Sequence, residues 1–174
     1  MLGSFVYTSF PDIVLTLDWR SYSSTFFTFN FVKFTHLHTL HLTCNGLIDL
    51  DPTDGNGTAL DDRCFAAVLG AMTRFLRGIG TTTKLKSLTI AFTWSHQLSE
   101  FVRHNVVLNV PWRGFDAVLS KKPLVDVPNI FLSLQFPVTI EVSEGLEDFY
   151  EDVVRESLPK LVASGRLQVE IIEC

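Results

Sequence analysis

Apolar residues recur along this chain in two rhythms, and each rhythm predicts a different element. In Leu37-His38-Thr39-Leu40-His41-Leu42-Thr43-Cys44-Asn45 they alternate with polar residues. That period predicts a short strand with Leu40 and Leu42 on one face. The same spacing, L-x-x-L-x-L-x-x-N, returns with substitutions at four other places. These are Phe10-x-x-Ile13-x-Leu15-x-x-Asp18, Leu85-x-x-Leu88-x-Ile90-x-x-Thr93, Val127-x-x-Ile130-x-Leu132-x-x-Gln135 and Ser164-x-x-Leu167-x-Val169-x-x-Ile172. The last copy keeps the strand and loses the polar ending.

Between the copies the rhythm becomes helical. Phe65, Val68, Leu69, Met72, Phe75, Leu76 and Ile79 share one helical face, and Gly78 and Gly80 end that helix. Its start follows a turn-rich loop, Asp49 to Thr58, and Thr58-x-x-Asp61 resembles a capping box. A second helix begins near Leu146, with Phe149, Tyr150, Val153, Val154, Leu158, Leu161 and Val162 on its expected buried stripe. Pro159 breaks or kinks it, and Gly165 releases the chain into the last strand. In Ser21 to Phe34, Phe27, Phe29 and Phe31 alternate with Thr28 and Asn30, as in a half-buried strand. The polar cluster Ser21 to Thr25 fits a poorly ordered insert equally well, so both readings stay open.

The nine-residue template is the strand segment of a leucine-rich repeat, in which Asn45 bonds backbone groups of neighbouring turns. Successive copies start 27, 48, 42 and 37 residues apart. Regular repeats run roughly 20–29 residues, so the array is expected to be irregular. Alternating strands and helices favour parallel pairing through right-handed crossovers. The expected fold is α/β: a short, irregular leucine-rich-repeat-like solenoid with a parallel sheet and helices on the convex side. It occupies residues 1–174 as a single domain, with 1–34 either poorly ordered or a truncated first repeat.

Composition narrows the function classes. A hydrophobic fraction of 47% with 19% charged residues describes a folded globular chain. A formal net charge of -5 leaves no basic footprint for nucleic acid. The longest apolar tract, Asn129 to Val142, is broken by Ser133, Gln135, Pro137 and Thr139 and is too short to span a membrane. No basic residue precedes Arg20, so a secretory signal is not expected, and Gly3 is not in the myristoylation position. Cys44, Cys64 and Cys174 are far apart and odd in number, which fits reduced thiols in the cytoplasm or nucleus. The sequon Asn56-Gly57-Thr58 then reads as turn chemistry.

Each candidate for catalytic chemistry has a simpler explanation. His38 and His41 differ in strand parity and cannot converge on one metal while the strand stays regular. A calcium loop starting at Asp49, Asp51 or Asp54 would have Asp54, Asn56 or Ala59 where glycine is required. Glu147, Asp148, Glu151, Asp152 and Glu156 are the wet face of an amphipathic helix, and Arg63, Arg74 and Arg77 are a solvated stripe. Gly78-Ile79-Gly80 follows a helix and precedes a strand, the reverse of a phosphate-binding turn. There is no G-x-S-x-G, H-E-x-x-H or C-x-x-C, and Cys64 has no basic neighbour in sequence. No enzyme activity, metal or cofactor is expected.

Leu37–Leu42, Leu85–Ile90, Trp112-Arg113-Gly114-Phe115-Asp116-Ala117-Val118-Leu119 and the ending Leu158-Pro159-Lys160-Leu161-Val162-Ala163-Ser164-Gly165-Arg166-Leu167-Gln168-Val169 carry a further likeness. Together they resemble the carboxyl-terminal, leucine-rich-repeat-like region of fungal F-box proteins, especially the large basidiomycete families. The resemblance covers roughly Phe34 to the end. It implies a substrate-recruiting horseshoe for a ubiquitin ligase, tethered through an F-box to a Skp1-like adaptor. No F-box-like opening, Leu-Pro with an acidic residue, is visible before the repeats, so that adaptor is expected only if an F-box lies upstream. A truncated or decayed repeat fragment and a small ligand-binding α/β domain are the alternatives. Read from the residues alone, Trp112, Phe115 and Leu119 are helical-spaced core anchors, and Asp116 is exposed or a local cap.

The repeat register places Thr39, His41, Ser87, Thr89, Phe131, Ser133, Gln168 and Glu170 on one side of the strands. These outward positions are the expected surface for a protein partner. Phe131 is either its anchor or is covered by the Asn105–Pro111 loop.

Overall fold

Period-two alternation leaves one face of each strand apolar, and such strands must bury that face together. The computed structural model describes residues 12–18, 36–45, 58–79, 84–94, 107–108, 110–137 and 146–173. The strands β1 (Asp12–Asp18), β2 (Thr39–Asn45), β3 (Ser87–Thr93), β4 (Asn129–Phe136) and β5 (Leu167–Glu173) form one sheet in the order β1-β2-β3-β4-β5. Every neighbouring pair is parallel. Ser21 to Phe34, Gly80 and the loop from Asp49 to its junction with the helix at Thr58 lie outside the described residues.

Pairing follows the repeat template position by position. Ile13, Leu40, Leu88, Ile130 and Leu167, the fourth residue of each copy, stand side by side across the sheet. The irregular offsets are therefore taken up in the crossovers and not in the strands. The α/β class and the parallel sheet expected from the sequence are present.

The crossovers carry four α-helices among the described residues: α1 (Thr58–Arg77), α2 (Trp112–Leu119), α3 (Leu146–Ser157) and α4 (Pro159–Ala163). A 3-10 turn, Leu124–Asp126, lies between α2 and β4. Strand order increases in one direction, so crossovers of a single hand deliver the helices to one face. Contacts agree with this. Phe65 of α1 meets Phe92 of β3 edge-on with ring centroids 5.0 Å apart, and Phe136 of β4 lies 6.2 Å from Tyr150 of α3. Phe65 is the hub of an aromatic cluster, also reaching Trp94 at 5.1 Å and Trp112 at 5.7 Å. Trp94 in turn stacks on Phe136 at 4.5 Å. Such offset and edge-on pairs add to the stabilisation from buried area alone.

The buried stripe of α1 is Phe65, Val68, Leu69, Met72 and Leu76, continued by Ile79 and with Phe75 partly buried. Trp112, Phe115 and Leu119 are core anchors as expected. In the second helical region the stripe is narrower than its spacing predicts. Tyr150, Val154, Leu158 and Leu161 are buried, whereas Phe149 and Val162 are 41% and 42% exposed. Pro159 ends α3 at Ser157 and starts α4 afresh at its first helical position, so Val162 does not continue the stripe of α3.

Asp116 is neither exposed nor a local cap. It is 3% exposed, and its carboxylate accepts the backbone N–H groups of Leu161 (3.1 Å) and Lys160 (3.4 Å). Leu158, which precedes α4, has no capping side chain, and Pro159 has no N–H. The two amides that an N-cap residue would satisfy are met instead by a carboxylate from α2. At the other end of α4, Gly165 takes a positive φ of 67°, a conformation that L side chains rarely adopt. Arg166 then turns back on the segment after α2. Its Nη1 donates to the carbonyls of Leu124 (2.8 Å) and Val127 (2.9 Å), its Nη2 to Leu119 (3.5 Å), and its Nε to Ser164 Oγ (3.0 Å). Burial pulls the guanidinium pKa below the ordinary arginine value, and the charge of Asp126 opposes that shift. The Trp112–Leu119 and Leu158–Val169 segments are thus fastened together at both ends of α4.

Candidate functional site

The outer face of the sheet is built from the positions that alternate with the core. Register sorts them into rows: Asp12, Thr39, Ser87 and Asn129; then Val14, His41, Thr89, Phe131 and Gln168. Below these run Thr43, Ala91, Ser133 and Glu170, then Asn45, Thr93, Gln135 and Ile172. With strands about 4.8 Å apart and same-face residues about 6.6 Å apart along a strand, these rows span a patch on the order of 20 Å on a side.

All the expected partner positions share this face, but their accessibility differs. Gln168 and Glu170 on β5 are exposed, while Thr39, His41, Ser87, Thr89 and Phe131 are half-buried. Ser133 is on the expected side yet only 2% exposed, which leaves it no surface to offer a partner. The reason is visible in its neighbour. Gln135 lays its amide back along β4, with Nε2 donating to Ser133 Oγ at 3.3 Å and Oε1 accepting from Thr93 Oγ1 at 3.0 Å. Ala91, beside Ser133 in the row, is also buried. The centre of the face is therefore a low floor of two small residues, with Phe131 and Gln135 on either side along β4.

Three further positions complete the surface. Val14 is 67% exposed and stands at the β1 end of the row that holds His41 and Phe131. Asp12 and Asn129 are exposed at the near ends of their strands. Asn45 is half-buried, and the turn that follows it lies outside the described residues. In the Asn105–Pro111 loop, the alternative to a partner as cover for Phe131, residues 105, 106 and 109 lie outside the described residues.

The described histidines and Cys44 lie in β2 or just before it. His36 is exposed before β2, His38 uses its carbonyl to accept the amides of Lys86 and Ser87, and His41 faces outward from β2. Among the described residues no group of three or more His, Cys, Asp or Glu lies close enough to hold a metal ion. Cys44 is buried on the inner face. Among the described residues no helix is long and apolar enough to cross a membrane. Comparison with protein-family models, curated proteins and solved structures finds no match to this chain.

Proposed function

We propose that this chain is a non-enzymatic protein-interaction module: a short, irregular leucine-rich-repeat-like array that presents its outer strand positions to a protein partner. One observation carries the reading. Five copies of the template pair in a single register and in a single direction, so equivalent outward positions line up as continuous rows. Open α/β sheets that bind small ligands do so where strand order reverses, because the diverging crossovers leave a crevice there. Among the described strands the order never reverses. That favours a broad surface over an enclosed pocket and counts against the ligand-binding α/β alternative.

Substrate recognition for an F-box-type ubiquitin ligase adaptor is the specific role we propose. It is supported by the resemblance of the Trp112–Leu119 and Leu158–Val169 segments to fungal F-box proteins. A Skp1-like adaptor would bind an F-box upstream and not the sheet. The chain would act in the cytoplasm or nucleus, without cofactor, membrane or nucleic acid.

The test is proximity labelling in cells with the wild-type chain and with His41→Ala/Phe131→Ala/Glu170→Lys. The triple variant is expected to lose a reproducible set of protein neighbours while keeping its thermal midpoint. Retention of every neighbour at wild-type intensity would reject the surface.

A further inference from the structure

Read in sequence, Arg77 belongs to a solvated stripe, and Lys121 and Lys122 lie 44 and 45 residues further on. The fold brings them together. A cleft of about 240 Å³ opens between the end of α1 and the segment after α2. Arg77, Lys121 and Lys122 line it, with Ala117, Val118 and Pro123 among its apolar walls, and no Asp or Glu takes part. All three cations are exposed, and none pairs with a carboxylate among the described residues. In a chain with 19 acidic and 14 basic residues, three unneutralised cations on one cleft run against the overall charge.

Lysine and arginine after a helix commonly offset the negative end of its dipole. That role is largely filled here by other groups. The carbonyls of Phe75, Leu76, Asp116 and Val118 accept backbone amides of the following turns, and that of Leu119 accepts Arg166. All three residues line the cleft with exposed side chains.

We propose that this cleft binds an acidic peptide segment, with carboxylates on Arg77, Lys121 and Lys122 and an aliphatic side chain against Ala117, Val118 and Pro123. The volume is below the roughly 300 Å³ at which enclosed small-molecule pockets begin, but it accommodates side chains of a chain lying across it. Exposed cations hold a single small anion weakly in water. Several carboxylates on one chain gain by acting together. The site is separate from the outer sheet face and does not depend on the function proposed for it.

The experiment is fluorescence anisotropy of a labelled dodecapeptide of Asp, Glu and Leu with the full chain, beside its Asn/Gln/Leu counterpart. Saturable binding of the acidic peptide is expected, roughly tenfold tighter than its amide counterpart and weakening with salt. Arg77→Gln/Lys121→Gln/Lys122→Gln should lose roughly tenfold in affinity at an unchanged thermal midpoint, and Lys121→Arg/Lys122→Arg should retain binding. Absence of saturation, equal binding by the glutamine variant, or loss of binding in the His41/Phe131/Glu170 variant instead would overturn the proposal. So would full displacement by inorganic phosphate at matched ionic strength, which would mark a simple anion site.

Discussion

On the inner face of the sheet, every position from Leu40 on β2 to Ile171 on β5 holds a buried apolar side chain. On the outer face, the alternate positions of the same strands hold Thr, His, Ser, Asn, Phe, Gln, Glu and Ile172, and among the described residues only Ala91 and Ser133 are buried. The backbone is common to both, so the difference lies in what each face meets. The inner one meets helices and must fill space, with Phe65 reaching Phe92, Trp94 and Trp112 at once. The outer one is held in register by that packing and contributes little to it. The sheet thereby keeps its packing on one side, and the recognition proposed above would use the other.

The largest expected effect strikes the inner face. Phe65→Ala removes the hub of the aromatic cluster and should cost about 3–5 kcal/mol, read as a lower urea midpoint of the full chain. If the loss is below about 1 kcal/mol, the core does not depend on that hub and the division between faces weakens.

A smaller effect lies at the helix layer that backs the sheet. Asp116→Ala leaves the Lys160 and Leu161 amides without their acceptor and should cost about 1–3 kcal/mol. Asp116→Asn keeps an acceptor oxygen and should recover part of that loss. The two amides use different carboxylate oxygens, so equal destabilisation by both would show that the one acceptor lost in each variant carries the cap.

The smallest effect belongs to the outer face. The single changes His41→Ala, Phe131→Ala and Glu170→Lys should each shift stability by only about 0.5 kcal/mol. A drop comparable to that of Phe65→Ala at any of them would show that this face is structural.

Much of this plan was legible in the residues. Each of the first four strands begins two residues after its template copy starts, at Asp12, Thr39, Ser87 and Asn129, and the fifth begins at Leu167, three residues after Ser164. Alternation depends only on adjacent residues, so short windows contain it. The break at Pro159 was legible for the same reason: a missing N–H and a fixed φ act locally.

The misses are all non-local. Phe149 and Val162 fit a helical stripe, but their burial depended on where α3 and α4 sit against α2. Asp116 looked like a surface residue or a cap of its own helix, because its partners are 44 and 45 residues away. Ser133 was placed on the right side of its strand, but Gln135, which bonds it, is also held by Thr93 of the neighbouring strand, 42 residues away. The gathering of Arg77 with Lys121 and Lys122 follows from packing of α1 on α2.

By itself the sequence determined the succession of strands and helices and which side of each strand a residue faces. Side-chain direction is a local consequence of backbone period, so it can be read from neighbours along the chain. Only the tertiary structure decided which of those residues are accessible, which carboxylate caps which helix, and which cations converge. Those properties depend on segments tens of residues apart meeting at distances of a few ångströms, and no local pattern encodes that meeting.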